Sequence, residues 1–176
     1  MKKIIAFAGS SSKQSINKQL VEYTTTLLEN TAFEVLDLND YELPLFSVDR
    51  EEEIGHPENA RKFLKKIEAS DGIMVSLAEH NGAYTAVFKN LLDWMSRIHG
   101  KTFYGKPMLL MATSDGARGG KFVLDMASSR FPRHDANIIA TFSLPGFSDN
   151  FHDGKIIDKV LAQDLVNAVR EFENAL

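Results

Sequence analysis

The sequence contains no cysteine among its 176 residues. Disulfide frameworks, thiolate metal sites and thiol nucleophiles are therefore excluded. No apolar run approaches the roughly twenty residues that a transmembrane helix needs. The apolar run that follows Met1 is too short for a signal peptide and ends in turn residues. We therefore expect a cytoplasmic protein without a membrane partner.

A cluster of basic residues is also missing. Lysine and arginine number 20 against 24 aspartates and glutamates, which gives a formal net charge of −4. Binding to a nucleic-acid backbone requires clustered cations, so nucleic acid is not an expected partner. Hydrophobic residues make up 44% of the chain and charged residues 25%, as in ordinary globular proteins. The length fits a single domain over residues 1–176.

Five short apolar runs are typical of β-strands. They cover residues 4–8, 33–38, 72–76, 108–113 and 138–142. Several of them are continuously apolar, which is typical of a parallel sheet that helices cover on both faces. We therefore predict an α/β fold with a doubly wound, five-stranded parallel sheet.

Helical patterns lie between these runs. Apolar residues recur at helical spacing within residues 57–69, 87–95 and 160–172. Pro57 suits a first helical turn. A weaker pattern at 119–131 predicts a helix with Phe122, Val123 and Met126 facing inward. Residues 47–55 are polar and are expected to form an exposed excursion before a helix.

An open parallel sheet binds ligands beyond the carboxyl ends of its strands, where the strand order reverses. The loop after the first strand, Gly9–Asn17, matches neither the P-loop nor the dinucleotide fingerprint. It offers the hydroxyls of Ser10, Ser12 and Ser15, the amide of Asn17 and the N–H groups of a helix start, which together suit one phosphate. A turn with a serine N-cap would explain the same residues without a ligand. Both interpretations stay open for this loop alone.

The loop after the third strand, residues 78–84, is richer in polar and ring-bearing side chains than a turn requires. Gly82 permits close backbone approach to a flat ligand, and His80 or Tyr84 could lie beside its ring. For His80 alone, an ordinary surface histidine is the simpler interpretation. Trp94 follows a helical apolar stripe, so we expect it in the core.

The loop after the fourth strand, residues 113–120, holds three glycines within five residues, at Gly116, Gly119 and Gly120. They imply close backbone approach or left-handed turns. One phosphate-sized site, one ring-sized site and a glycine-rich wall together indicate a mononucleotide with a large planar ring. FMN fits this description better than a dinucleotide does.

These segments match motifs of one known family. The family's first loop, roughly G-S-x-R-x-x-S-x-N, is matched by Gly9, Ser10, Ser15 and Asn17. Its motif P-E-Y-N-G-S-Y-P-G-x-L-K-N-x-x-D-W resembles AEHNGAYTAVFKNLLDW at residues 78–94, and its D-L…L-P-x-[FY] segment resembles residues 37–46. The chain thus resembles the NADPH-dependent FMN reductase family, which includes quinone, azo and chromate reductases. It departs from the family pattern at Ser12, Ala78 and His80, where the family has arginine, proline and tyrosine.

The resemblance implies a flavodoxin-like fold with FMN as cofactor and NADPH or NADH as co-substrate. It further implies hydride transfer through FMN to a quinone, free flavin or azo-type acceptor, with no catalytic side chain and no metal. We expect the phosphate at Ser10, Ser12, Ser15 and Asn17. The expected ring contacts are Glu79, His80, Asn81 and Gly82 on one side and Ser114, Gly116, Arg118 and Gly119 on the other.

The resemblance also implies a homodimer or a dimer of dimers. Apolar residues in two predicted loops, 43–46 and 103–104, would be exposed in a monomer, which also favours an oligomer. Two alternatives remain. One is a flavodoxin-type electron carrier, which the nearly balanced charge does not favour. The other is a non-catalytic partner-binding domain of the same fold, for which Ser12 is the best evidence.

Overall fold

The computed structural model describes all residues from 1 to 176. It contains a five-stranded sheet of order β2-β1-β3-β6-β7 in which every neighbouring pair is parallel. The strands are β1 (Lys2–Gly9), β2 (Thr31–Leu36), β3 (Gly72–Leu77), β4 (Glu79–His80), β5 (Ala83–Tyr84), β6 (Pro107–Thr113), β7 (Asn137–Leu144), β8 (Phe151–His152) and β9 (Lys155–Ile156). The pairs β4–β5 and β8–β9 are small antiparallel hairpins.

Seven α-helices connect the strands. They are α1 (Ile16–Thr25), α2 (Val48–Ile54), α3 (Glu58–Ala69), α4 (Ala86–Ile98), α5 (Lys121–Arg130), α6 (Phe147–Asn150) and α7 (Lys159–Asn174). Short 3₁₀ turns lie at Leu38–Tyr41 and Phe131–His134. None of the helices has the length and apolarity needed to cross a membrane.

Strand β1 shows why helices cover both faces of the sheet. Ile5 and Phe7 point to one face and pack with buried residues of α3, α4 and α5. Ile4 and Ala6 point to the other and pack with α1 and α7. Because side chains alternate along a strand, a strand buried on both faces is apolar throughout. The predicted α/β class and the five-stranded parallel sheet are confirmed, and the strand order is the flavodoxin-like one.

Side-chain caps fix where four of the helices begin, namely α1, α2, α4 and α7. The Ser15 hydroxyl accepts a hydrogen bond from the backbone N–H of Lys18 at 3.2 Å, at the start of α1. The Asp158 carboxylate accepts two such bonds at 2.9 Å, from residues 160 and 161 of α7. Pro57 stands directly before the first residue of α3. Trp94 is fully buried in α4, as predicted.

The prediction for the inward face of α5 was wrong in part. Val123 is buried, but Phe122 is 51% exposed and Met126 is 39% exposed. The buried stripe is instead Val123, Leu124 and Ala127, which share a face at helical spacing. Gly119 and Gly120 adopt left-handed conformations, so the helix begins only at Lys121 with this other face towards the sheet.

Residues 47–55 are exposed as predicted, except for the half-buried Glu51, but residues 48–54 form helix α2, which the sequence pattern did not reveal. The Ser47 hydroxyl accepts from the N–H of Arg50 at 3.0 Å, and Gly55 ends the helix with a φ of 68°. No residue of α2 is buried. Helix α2 is attached to α4 through Glu51, whose carboxylate pairs with Arg97 at 2.8 Å. An ion pair leaves no apolar stripe from which to predict a helix.

Candidate functional site

The three predicted loops meet at the carboxyl edge of the sheet. Together they line one cavity of about 240 Å³. The predicted residues that line it are Ser10, Ser12, Ser15, Asn17, Glu79, His80 and Ser114. Asp115 lines it as well and was not predicted. The loops singled out in the sequence therefore line a common cavity at this edge of the sheet.

The first loop presents neutral donors suited to a phosphate. The hydroxyl oxygens of Ser10, Ser12 and Ser15 each accept a backbone N–H from two or three residues further along, at 3.2, 3.3 and 3.2 Å. Each hydroxyl keeps its own O–H to donate. The backbone N–H groups of Ile16 and Asn17, at the start of α1, have no acceptor within the chain. Free N–H groups at a helix start favour an anion, so this donor set fits the phosphate of FMN.

Ser15 is thus an N-cap, which was one of the two interpretations left open. A cap uses only the oxygen of the hydroxyl, so it does not exclude a phosphate contact. The phosphate role of this loop remains a proposal.

No lysine or arginine lines the cavity, whereas two carboxylates do. The Asp115 carboxylate accepts from the Ser148 N–H at 2.9 Å and hydroxyl at 2.6 Å, and these bonds hold the pKa of Asp115 below its ordinary value. The Glu79 carboxylate accepts from the N–H of Val123 at 3.0 Å. Both negative charges are therefore partly balanced by hydrogen-bond donors of the chain itself.

The side chain of Asn17 makes most of its hydrogen bonds within the chain. It is 2% exposed, and its oxygen accepts from the Ser76 hydroxyl at 2.7 Å and from the Thr113 N–H at 3.1 Å. Its nitrogen donates to the Thr113 carbonyl at 3.2 Å. These bonds tie the start of α1 to the ends of β3 and β6. The backbone N–H of Asn17 and the second N–H of its amide have no acceptor within the chain.

The remaining predicted residues do not line the cavity. Asn81 and Gly82 form the turn of the β4–β5 hairpin, with φ of 52° and 74°. Gly119 has no room for a side chain, because a Cβ there would lie 2.5 Å from the Ser143 hydroxyl oxygen. The Gly116 carbonyl accepts from the N–H of Gly119 in its own loop and from the N–H of Gly146 after β7, and the Arg118 guanidinium stacks on Phe122, 4.7 Å from the ring centroid.

Tyr84 also lies away from the cavity. Its ring stacks on Phe131 with centroids 6.1 Å apart and meets Phe88 edge-on at 5.4 Å. Of the two side chains expected beside a ring, only His80 lines the cavity.

The K-N-x-x-D-W segment has a structural role that sequence reasoning missed. The Asn90 side chain accepts from the N–H of Phe46 at 2.8 Å and donates to the Pro44 carbonyl at 3.0 Å. The Trp94 indole donates to the same carbonyl at 2.8 Å. The segment therefore fastens residues 43–46 onto α4. Polar side chains recurring at i and i+4 beside an apolar helix stripe were the available signal.

A second cavity of about 510 Å³ lies beside that fastened segment. Its walls are mostly apolar and include Leu43, Leu45, Val87 and Leu91, and Ser11 of the first loop closes one side.

Known proteins resemble this chain in sequence and in fold. A 2-hydroxy-1,4-benzoquinone reductase from Burkholderia sp is 37% identical over 119 residues, which cover 66% of this chain and 63% of that protein. A quinone reductase from Escherichia coli (strain K12) is 30% identical over 118 residues, covering 66% and 62%. The chain thus spans less than two thirds of the length of these curated relatives.

Among solved structures, FerB, a flavoenzyme NAD(P)H:(acceptor) oxidoreductase from Paracoccus denitrificans, superposes with a TM-score of 0.79. The two share 24% sequence identity, and the match covers 99% of this chain and 97% of that one. At that identity the likeness shows the fold alone, which agrees with the strand order.

The family profile described as NADPH-dependent FMN reductase matches residues 2–148. This span contains β1, β3 and β6 together with the loops that follow them. The match confirms the resemblance predicted from the motifs and, at the level of the family, FMN and a nicotinamide nucleotide as cofactor and co-substrate. The chain belongs to the NADPH-dependent FMN reductase family.

Proposed function

We propose that this chain is an FMN-dependent NAD(P)H oxidoreductase that reduces a quinone, a free flavin or an azo-type acceptor. The observation that carries the proposal is the single cavity where three loops of this family member meet, with a phosphate-sized set of donors at one end. Two relatives that are named as quinone reductases support the quinone class. The proposal treats residues 1–176 as one FMN-binding domain.

Different residues would hold different parts of the cofactor. The hydroxyls of Ser10, Ser12 and Ser15 and the free N–H groups of α1 hold the phosphate. The hairpin residues 79–82 border the ring, mainly through backbone groups, and residues 114–119 stand opposite. Bound FMN would supply the redox chemistry by accepting a hydride from NAD(P)H and passing it to the acceptor. Because the cofactor carries this chemistry, we assign no catalytic side chain.

A homodimer or dimer of dimers, and a cytoplasmic location, belong to the same proposal. Leu45 is 79% exposed and Val48 is 58% exposed, which leaves apolar surface for a second copy to cover. The other expected segment gives no support, because Phe103 is 1% exposed and Tyr104 stacks on His99. Light scattering that gives a monomer mass at every concentration would rule out the dimer.

Anaerobic stopped-flow mixing of the FMN-loaded protein with NADPH or NADH tests the function. We expect the flavin absorbance to bleach and then to recover when a quinone is added. If FMN binds but neither nucleotide bleaches it, the protein is an electron carrier. If the folded protein binds no FMN, the non-catalytic domain is the better interpretation.

A further inference from the structure

The β4–β5 hairpin is tied to the end of β1 by a hydrogen bond. Asn81 and Gly82 both have positive φ, as the tight two-residue turns of hairpins require. Directly after the hairpin, the Thr85 hydroxyl donates to the Gly9 carbonyl at 2.8 Å. The hairpin therefore holds a fixed position relative to the first loop.

The start of α5, on the opposite side of the proposed ring site, lacks a cap of its own. Its N-cap residue is Gly120, which has no side chain. The N–H of Val123, in the first turn, finds its acceptor in the Glu79 carboxylate of the hairpin, 44 residues earlier, at 3.0 Å. A carboxylate at a helix N-terminus forms a charge-assisted bond that the helix dipole also favours. It is the only hydrogen bond between the hairpin and residues 114–130.

We propose that Glu79 is a positioning residue that fixes the spacing between the hairpin and the start of α5, the two sides of the flavin-ring site. This inference rests on the proposed function and assigns a role to the side chain of Glu79, where mainly backbone contacts were expected. Glu79 acts through the N–H of Val123, so it need not touch reacting atoms. It also lines the cavity, so the shape of the cavity depends on this bond.

A different role for the same carboxylate would give the opposite result. If its charge mainly repelled the phosphate of FMN, removing it would tighten FMN and leave a flavin without phosphate unaffected. The spacing between the hairpin and the start of α5 affects how the ring fits. A change in this spacing should therefore lower the affinity for every flavin by the same factor.

The first test needs no flavin. Hydrogen exchange of the Val123 amide is measured by NMR in the apo protein for Glu79→Ala, Glu79→Gln and Glu79→Asp. Alanine removes the acceptor and aspartate is too short to reach, so exchange should rise about tenfold or more in both, as expected for a lost bond to a charged group. Glutamine keeps an acceptor and should stay within about threefold of the native protein. Glu52→Ala, at an exposed glutamate without a partner, should change nothing.

The second test compares FMN with lumiflavin, which has the ring but no phosphate. Glu79→Ala should weaken both by the same factor, about tenfold, and Glu79→Gln should weaken neither. Unchanged exchange of Val123 in folded Glu79→Ala and Glu79→Asp would overturn the proposal. So would tighter FMN with unchanged lumiflavin. If the native protein binds no flavin, the proposed function fails, while the exchange result still decides whether Glu79 holds the hairpin to α5.

Discussion

At the scale of single residues, the hydroxyl of Tyr84 stands out. It is the one buried side-chain polar atom without a hydrogen-bond partner. Burial raises the pKa of Tyr84 to about 12. The ring, in contrast, packs on Phe88 and Phe131 and holds the hairpin against the core. A buried hydroxyl without a partner costs stability, whereas the ring contributes it.

Tyr84→Phe should therefore leave the free energy of unfolding unchanged or raise it by about 1 kcal/mol at neutral pH. Because the folded pKa of Tyr84 is raised, the hydroxyl ionises first in the unfolded chain, so the native protein loses stability as the pH rises from the unfolded pKa towards the folded pKa. The advantage of the variant should thus grow from about pH 8 to about pH 11. Urea unfolding measures it, with Tyr23→Phe as the matched control. A loss of stability in Tyr84→Phe at both pH values would show that the hydroxyl has a partner.

Ser12 stands where the family has a cation, and no lysine or arginine lines the cavity. Ser12→Arg should tighten FMN by about ten- to hundredfold, the worth of a hydrogen bond to a charged group. Riboflavin lacks the phosphate and should gain nothing. Fluorescence titrations of both ligands into both proteins at two salt concentrations measure the effect. Equal tightening of riboflavin, or unchanged FMN in a folded variant, would place the phosphate elsewhere.

Asn17 shows why residue roles are harder to predict than residue locations. Its place in the first loop motif predicted a position at the candidate site, and it does line the cavity. The sequence did not show that its amide pairs with Ser76 and Thr113, which are 59 and 96 residues away. Such bonds depend on which strands are neighbours, and a local pattern does not contain that information.

At the scale of elements, an ion pair ties the end of β2 to α1. Lys18 beside Asp37, with help from Asn39, holds the pKa of the Asp37 carboxyl below its ordinary value. A lowered folded pKa means that this stability is present above the unfolded pKa and is lost as the pH falls through the folded one.

Asp37→Asn should therefore lower the free energy of unfolding by about 1 kcal/mol or less at about pH 7, as for a partly exposed pair. The difference should shrink at about pH 3, below the ordinary pKa of an aspartate, because the carboxyl is then already protonated in the unfolded chain. Urea unfolding at both pH values measures it, and the exposed Asp164→Asn is the control. An equal loss at both pH values would mean that the pair contributes through packing and not through charge.

Elements were predictable where burial dictates the pattern. The central strands β1, β3 and β6 were found because both of their faces are buried. The edge strands β2 and β7 are only partly buried and were found from their short apolar runs, although β2 covers Thr31–Leu36 and not residues 33–38, since Asp37 already caps a 3₁₀ turn. Helix α2 was missed because an ion pair and not an apolar stripe holds it. The two hairpins were also missed, although Asn81-Gly82 and Asp153-Gly154 are typical hairpin turns.

At the scale of the whole molecule, the order of strands places the site. The carboxyl ends of β1, β3 and β6 lie side by side, so three loops that are distant in sequence form one cavity. The alternation of strands and helices predicted this edge. It did not predict which side chains reach the cavity, because Asp115 does while Arg118 turns onto Phe122. Left-handed backbone at Gly119 and Gly120 redirects that loop.

Fluorescence titration of FMN with the purified chain tests most directly whether this cavity is a flavin site, with FAD as the comparison ligand. One phosphate-sized donor set and no dinucleotide fingerprint predict saturable quenching of FMN, with a dissociation constant on the order of micromolar or tighter, and no comparable binding of FAD. Unchanged FMN fluorescence at micromolar protein, with circular dichroism showing an intact fold, would contradict it.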